Sequence, residues 1–257
     1  MSTIIRTDAV VLRSLEYSET SKIVGLFTRE KGKVSVMAKG ARRMKSRFGS
    51  TLEPMSHIQT VFYYKPTRGL QTLTETSYVN RFGHLHESLE KLVAGQRIVE
   101  LVDALLQDEE RNPAAFNLTT GVLQALNETE RSIGNLLAYF RLQFASTLGF
   151  SPAVRKADVT SLPEEGGVLA LDSGAIHPAG TDVSPGRRAS RSALRAFAVF
   201  ARANLSDAMR MQMDRATQLA VDGLIEAYLR YQFEDAYPSR SEEVAAQLFG
   251  TRPSARG

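Results

Sequence analysis

The sequence contains no cysteine and no tryptophan, and only four histidines in 257 residues. Without thiols there is no disulfide, no thiolate zinc site, no iron–sulfur cluster and no cysteine nucleophile. His57, His84, His86 and His177 share no metal-ligand spacing such as H-x-x-x-H or H-E-x-x-H, and so read as structural or surface residues. P-loop, G-x-S-x-G and dinucleotide fingerprints are also missing. Glu164-Glu165 and Glu242-Glu243 are adjacent in sequence, so their side chains diverge rather than form an acid–base pair. The expectation is a protein with no catalytic residues, no metal and no cofactor. No run of about 18 apolar residues is free of charge, which argues against a membrane helix. Arg6 and Asp8 break up any signal-peptide core, so the expected compartment is the cytoplasm.

What remains is an ordinary mixture, 43% hydrophobic and 23% charged, enough for one large core or two modest ones. The net charge is only +4, but it is unevenly placed. Residues 1–80 carry 13 cationic against 6 acidic side chains, residues 81–160 carry 8 against 10, and residues 161–257 carry 11 against 12. A basic first third joined to a near-neutral remainder points to a polyanionic ligand for the first part.

Five short strands are predicted in that basic part, over Ile4–Tyr17, Lys22–Arg29, Lys33–Lys39, His57–Lys65 and Leu70–Val79. Five strands in about 80 residues fit a small closed barrel, with the OB-fold the leading candidate and an SH3-like barrel close behind. From Leu85 the apolar period becomes helical. Helices are expected from there to about residue 107, from Asn112-Pro113, from Ser132 to Gly149, and over about 187–203 and 207–234, with a mixed tail after Pro238. The proline- and glycine-rich stretch 150–186 reads as a long irregular excursion. The fold class is therefore α+β, an N-terminal OB-fold barrel (1–80) followed by an all-helical domain (81–257).

The densest chemical feature is the run from Lys39 to Arg47, in which Lys39, Arg42, Arg43, Lys45 and Arg47 are cationic and no residue is acidic. Glycines near its ends and the lack of a helical stripe make it a flexible loop. Long cationic side chains on such a loop suit a phosphate backbone, each contact displacing condensed counterions. Lys39, nearest the strand end, is expected to be held by packing. Phe48, Tyr63, Tyr64 or Tyr78 on a barrel face would stack on bases, although each is individually more ordinary as a core residue. A second basic stripe, Arg187, Arg188, Arg191, Arg195 and Arg202, edges a helix whose opposite face carries Leu194, Phe197 and Phe200. It reads first as a solvated face, with a nucleic-acid track or an acidic peptide as the functional alternatives.

The order Val10-Val11-Leu12-Arg13, Tyr17-Ser18-Glu19-Thr20-Ser21-Lys22, Phe27-Thr28-Arg29-Glu30-Lys31-Gly32-Lys33, Ala38-Lys39-Gly40-Ala41-Arg42-Arg43, Ser46-Arg47-Phe48-Gly49 and Leu148-Gly149-Phe150-Ser151-Pro152 resembles the RecO family of bacterial recombination mediators and DNA repair proteins. The resemblance runs over about residues 4–175. It implies an OB-fold, a helical C-terminal domain and no active site. It further implies binding of single- and double-stranded DNA, annealing of complementary strands, and loading of the RecA recombinase onto DNA coated by single-stranded-DNA-binding protein (SSB), together with RecR. It also suggests that the helical domain docks the acidic C-terminal tail of SSB, with Arg141, Arg191 and Arg195 as candidate cations. Many family members hold zinc with two C-x-x-C pairs in the excursion. Here those positions are Ala157, Thr160, Ala170 and Ser173, so the excursion is expected to be zinc-free. Another OB-fold module, such as an RNA-binding protein, uses the same kind of basic loop and remains the alternative. A small hydrolase with a cryptic site is a third reading, weakened by the missing ligand sets.

Overall fold

The computed structural model describes residues 2–238, apart from the side chains of Lys156 and Val159. Its first compact unit takes in the chain to Phe116 and its second Asn117–Asp235, with Ala236 returning to the first.

The first unit is built on five strands, β1 (Thr3–Tyr17), β2 (Ser21–Thr28), β3 (Gly32–Ala38), β4 (His57–Tyr64) and β5 (Leu70–Asn80). They close into a barrel in the order β1-β2-β3-β5-β4, with β1 pairing back to β4. All pairings are antiparallel except β3 with β5, which run parallel over Ser35–Met37 and Leu70–Thr72. This is an OB-fold arrangement. β1 serves two neighbours because it is long and bent: a register shift between Val11 and Arg13 leaves Leu12 as an extra residue. Period-2 alternation puts Val24, Leu26, Val34, Val36, Ile58, Phe62 and Leu73 inside, each at 3% exposure or less. The β2–β3 turn needs Gly32, whose φ is 63° and where a Cβ would meet the Glu110 backbone oxygen at 2.1 Å.

Helix α1 (Leu89–Leu105) starts at Ser88, whose side chain accepts from the Lys91 N–H, and packs on β1 and β2. That packing is why the compact unit runs to Phe116, beyond the strands, which end at Asn80. Helix α2 (Pro113–Glu128) opens with the Asn112 side chain accepting from the Ala115 N–H, as the Asn-Pro pair predicts.

In the second unit, α3 (Ile133–Thr147) is buried along most of its length, with Phe140 and Phe144 stacked at 5.2 Å. The excursion that follows is not irregular throughout, and the domain is not all-helical. It holds a short helix α4 (Lys156–Thr160) and a three-stranded antiparallel sheet of β6 (Gly167–Ala170), β7 (Ile176–Pro178) and β8 (Gly186–Ala189), with β6 in the middle. The remaining helices are α5 (Arg191–Arg202), α6 (Leu205–Arg210) and α7 (Arg215–Phe233). The expected helix 187–203 therefore begins four residues late, because Arg187 and Arg188 belong to β8. The expected helix 207–234 is two helices, with Met211–Asp214 between them and the Asp214 carboxylate capping the second. The tail beyond Pro238 lies outside the described residues.

Candidate nucleic-acid interface

The basic loop leaves β3 at Ala38 and crosses to β4 through consecutive turns. The Arg43 N–H donates to the Gly40 carbonyl at 3.2 Å, and the Ser46 N–H to the Arg43 carbonyl at 3.0 Å. Two attachments hold it. On one side the Arg42 N–H donates to the Thr20 carbonyl, while its guanidinium donates to the Ser18 carbonyl and pairs with Glu16 at 2.8 Å. On the other side Phe48 and Leu52 are buried in the barrel core at 1% exposure each. The Thr51 hydroxyl closes this second attachment, 2.6 Å from both the Phe48 carbonyl and the Thr76 hydroxyl.

The expected flexible loop is thus a pinned one, and its five cations divide. Arg42 is a tether to the β1–β2 hairpin. Lys39, Arg43, Lys45 and Arg47 are exposed, and among the described residues no carboxylate lies within ion-pair distance of them. The Arg47 guanidinium lies over the Phe48 ring at 5.0 Å, a cation–π contact made by an otherwise exposed side chain. Lys39, expected to be packed, is exposed because the strand ends one residue before it. Several cations elsewhere in the unit are paired: Lys33 with Asp103 and Asp108, Arg13 with Asp103, Lys22 with Glu53, Arg111 with Glu30.

Of the four aromatic residues considered as stacking platforms, Phe48 is a core plug and cannot stack on a base. The Tyr64 hydroxyl donates to Glu109, which holds its phenol above the usual range, and Lys31 lies over its ring at 4.8 Å. Tyr78 is partly exposed and hydrogen-bonded to Ser50. Tyr63 is exposed and has apolar company that sequence reasoning missed. The outward residues Leu15, Ile23, Met37, Thr72, Tyr63 and Ile4 are successive cross-strand partners, forming one transverse belt over all five strands. Leu15, Tyr63 and Ile4 are about half exposed or more, and Ile23, Met37 and Thr72 are half-buried. The signal for it was present as doubled apolar residues, Ile4-Ile5, Ile23-Val24, Val36-Met37 and Tyr63-Tyr64, where strict alternation would put a polar residue outside.

In the second unit the candidate partner cations separate. Arg141 is buried and bound to Glu226 and, at 3.6 Å, to Asp222 of α7. It is a structural ion-pair residue rather than a cation at a pocket mouth, because its guanidinium faces another helix of its own bundle. Arg195 is exposed, and Arg191 is half-buried. Arg202 donates to the Val154 carbonyl at 2.6 Å.

Ala157, Thr160, Ala170 and Ser173, the positions that the resemblance aligns with the zinc thiols of many RecO-like proteins, do not fit a metal. Ala157 and Ala170 offer no donor atom, and the hydroxyls of Thr160 and Ser173 are neutral and turned to local partners, the Ala157 carbonyl and the Asp172 carboxylate. Among the described residues no cluster of three His, Cys, Asp or Glu side chains has metal-binding geometry. The excursion is instead clamped from the helices. Gln232 of α7 donates to the Leu171 and Asp172 carbonyls at 2.7 and 2.8 Å, and Tyr228 to that of Phe150 at 3.2 Å. Burial pushes the Tyr228 phenol up to about 12, so it stays a donor at any physiological pH.

Two family models match this chain, Recombination protein O N terminal over residues 1–82 and Recombination protein O C terminal over residues 86–241. It is 53% identical over 254 residues to a DNA repair protein RecO of Salinibacter ruber, covering 98% of this chain and 97% of that one. It is 32% identical to one of Symbiobacterium thermophilum, covering 91% and 94%. With one of Chlorobaculum parvum it shares 39% identity, over 60% of this chain and 59% of the relative.

Proposed function

The chain belongs to the RecO family of DNA repair proteins, and from that premise we propose that it is a recombination mediator acting by binding rather than catalysis. The observation that supports this reading most is the set of four exposed, unpaired cations on a loop pinned at both ends, beside an outward apolar belt. Lys39, Arg43, Lys45 and Arg47 take the phosphates, and Tyr63 with its neighbours takes unstacked bases. Two strands held with bases accessible and backbone charge neutralised can find each other, which is the basis for annealing complementary single strands. In the cell the protein helps load RecA onto SSB-coated DNA together with RecR, in the cytoplasm. The acidic SSB tail meets the second unit, where Arg195, with Arg191 beside it, is the exposed one of the three candidate cations. No described helix is long and apolar enough to cross a membrane.

The test is affinity against salt for single-stranded DNA, with Lys39, Arg43, Lys45 and Arg47 replaced together by alanine. Each lost phosphate contact lowers the salt slope by about 0.7 on a single strand, so the slope falls by about 3 units while the melting temperature holds. Equal slopes would place the phosphate track elsewhere. Preference for structured RNA over single-stranded DNA in competition would favour an RNA-binding module instead.

A further inference from the structure

Met44 is the most exposed large apolar side chain described in the molecule, and it stands in the middle of the basic loop. Its place is set by the two linked turns. The second, closed by the Ser46 N–H on the Arg43 carbonyl, has Met44 at its first corner, the position that projects from a turn. Behind it the Arg42 tether and the buried Phe48 hold the chain, so the thioether is presented on a fixed support. Arg43 and Lys45 flank it, both exposed and, among the described residues, without ion pairs, so a polyanion that engages them brings its own interior against Met44. The only apolar surface inside such a polyanion is the face of a base.

We propose that Met44 is a wedge that inserts between neighbouring bases when the flanking cations hold the backbone, so that the loop favours DNA whose stacking is already interrupted. This rests on the DNA-binding reading above. Apolar wedges between base steps are an established device, and methionine is flexible and polarisable enough to fill an uneven gap. Opening a step in continuous duplex costs about as much as burying one such side chain returns. Insertion is therefore close to neutral in intact duplex and favourable at a gap, a mismatch or a single-strand–duplex junction, where the cost is already met.

The experiment uses the full chain with gapped and continuous duplexes carrying 2-aminopurine, whose fluorescence rises when it loses a stacking neighbour. Wild type is expected to raise the signal severalfold at the gap edge and little in continuous duplex. Met44→Ser should abolish the rise while leaving the salt slope unchanged, and Met44→Leu should restore it. A rise of equal size in Met44→Ser overturns the wedge, as does binding without any rise in wild type, which would leave Met44 to contact a protein partner. Failure of wild type to bind any DNA would overturn the DNA-binding reading itself, a result distinguishable from both.

Discussion

Two segments of this molecule that break its regular pattern, the loop 39–56 and the excursion 150–186, are held in opposite ways. The loop is fixed by its own side chains reaching into the barrel: Phe48 and Leu52 fill the core, and Arg42 grips the neighbouring hairpin. The excursion is fixed from outside, its backbone carbonyls caught by Arg202, Tyr228 and Gln232 of the helices. The difference decides what is left over. In the loop, apolar anchoring leaves most of the cations unused and facing water. At the excursion, polar side chains of the helices are consumed in holding its carbonyls. The same residue type, arginine, stands exposed in one place and is a structural clamp in the other, and composition alone does not distinguish the two.

The largest expected effect is at the loop's anchor. Phe48→Ala empties a buried ring position and should cost about 3–5 kcal/mol in denaturant unfolding. If the loop were an independent appendage, the loss would be below about 0.5 kcal/mol. The excursion should respond more mildly. Gln232→Ala removes the donor of a part-buried and an exposed carbonyl, a loss of about 0.5–1.5 kcal/mol. Faster amide exchange around Leu171–Gly174 and an unchanged salt slope for DNA would show that this clamp is structural only. A chelator should leave the melting temperature of both proteins where it was, whereas a drop would mean that a metal shares the work.

The smallest effect is a pH dependence of the first unit's stability. His57 is packed between Phe82 and Phe116, with ring centroids at 6.4 and 6.0 Å, and among the described residues its Nε2 is buried without a hydrogen-bond partner. Burial lowers its pKa from the ordinary 6.5, with Arg29 adding to the effect and Asp8 opposing it. A lowered folded-state pKa means that the unfolded chain takes up the proton first. The His57 contribution is therefore complete above about pH 6.5 and is lost as pH falls from there through the lowered folded value. His57→Phe should flatten that part of the stability–pH curve, and an unaltered curve would assign the acid sensitivity to another group.

The barrel was legible to within a residue or two at most strand ends, because alternation such as Lys33-Val34-Ser35-Val36 is a direct imprint of a half-buried strand. The cationic loop was legible from composition. What escaped were features set by tertiary partners. Phe48 beside four arginines and lysines looks like a base platform until Leu52 and the strand interiors are seen around it. Arg141 lies on an apolar helix that faces Asp222 and Glu226, some 80 residues away in sequence. The strands β6, β7 and β8 have three or four residues each among prolines and glycines, too short for any period to register. The apolar belt required the register of five strands at once.

The seam that closes the barrel has a consequence in time. β3 and β5 meet over only three residue pairs, Ser35–Leu70, Val36–Gln71 and Met37–Thr72, joining parts of the chain 35 residues apart. Such a contact returns little until a long loop has been closed, so it belongs to the late steps of folding and to the early steps of local opening. The pair Met37–Thr72 is also the middle of the outward belt. Under the proposed DNA-binding role, a strand of bases lying along the belt would span the seam on both sides, so its occupancy would favour the closed barrel over opened forms by mass action.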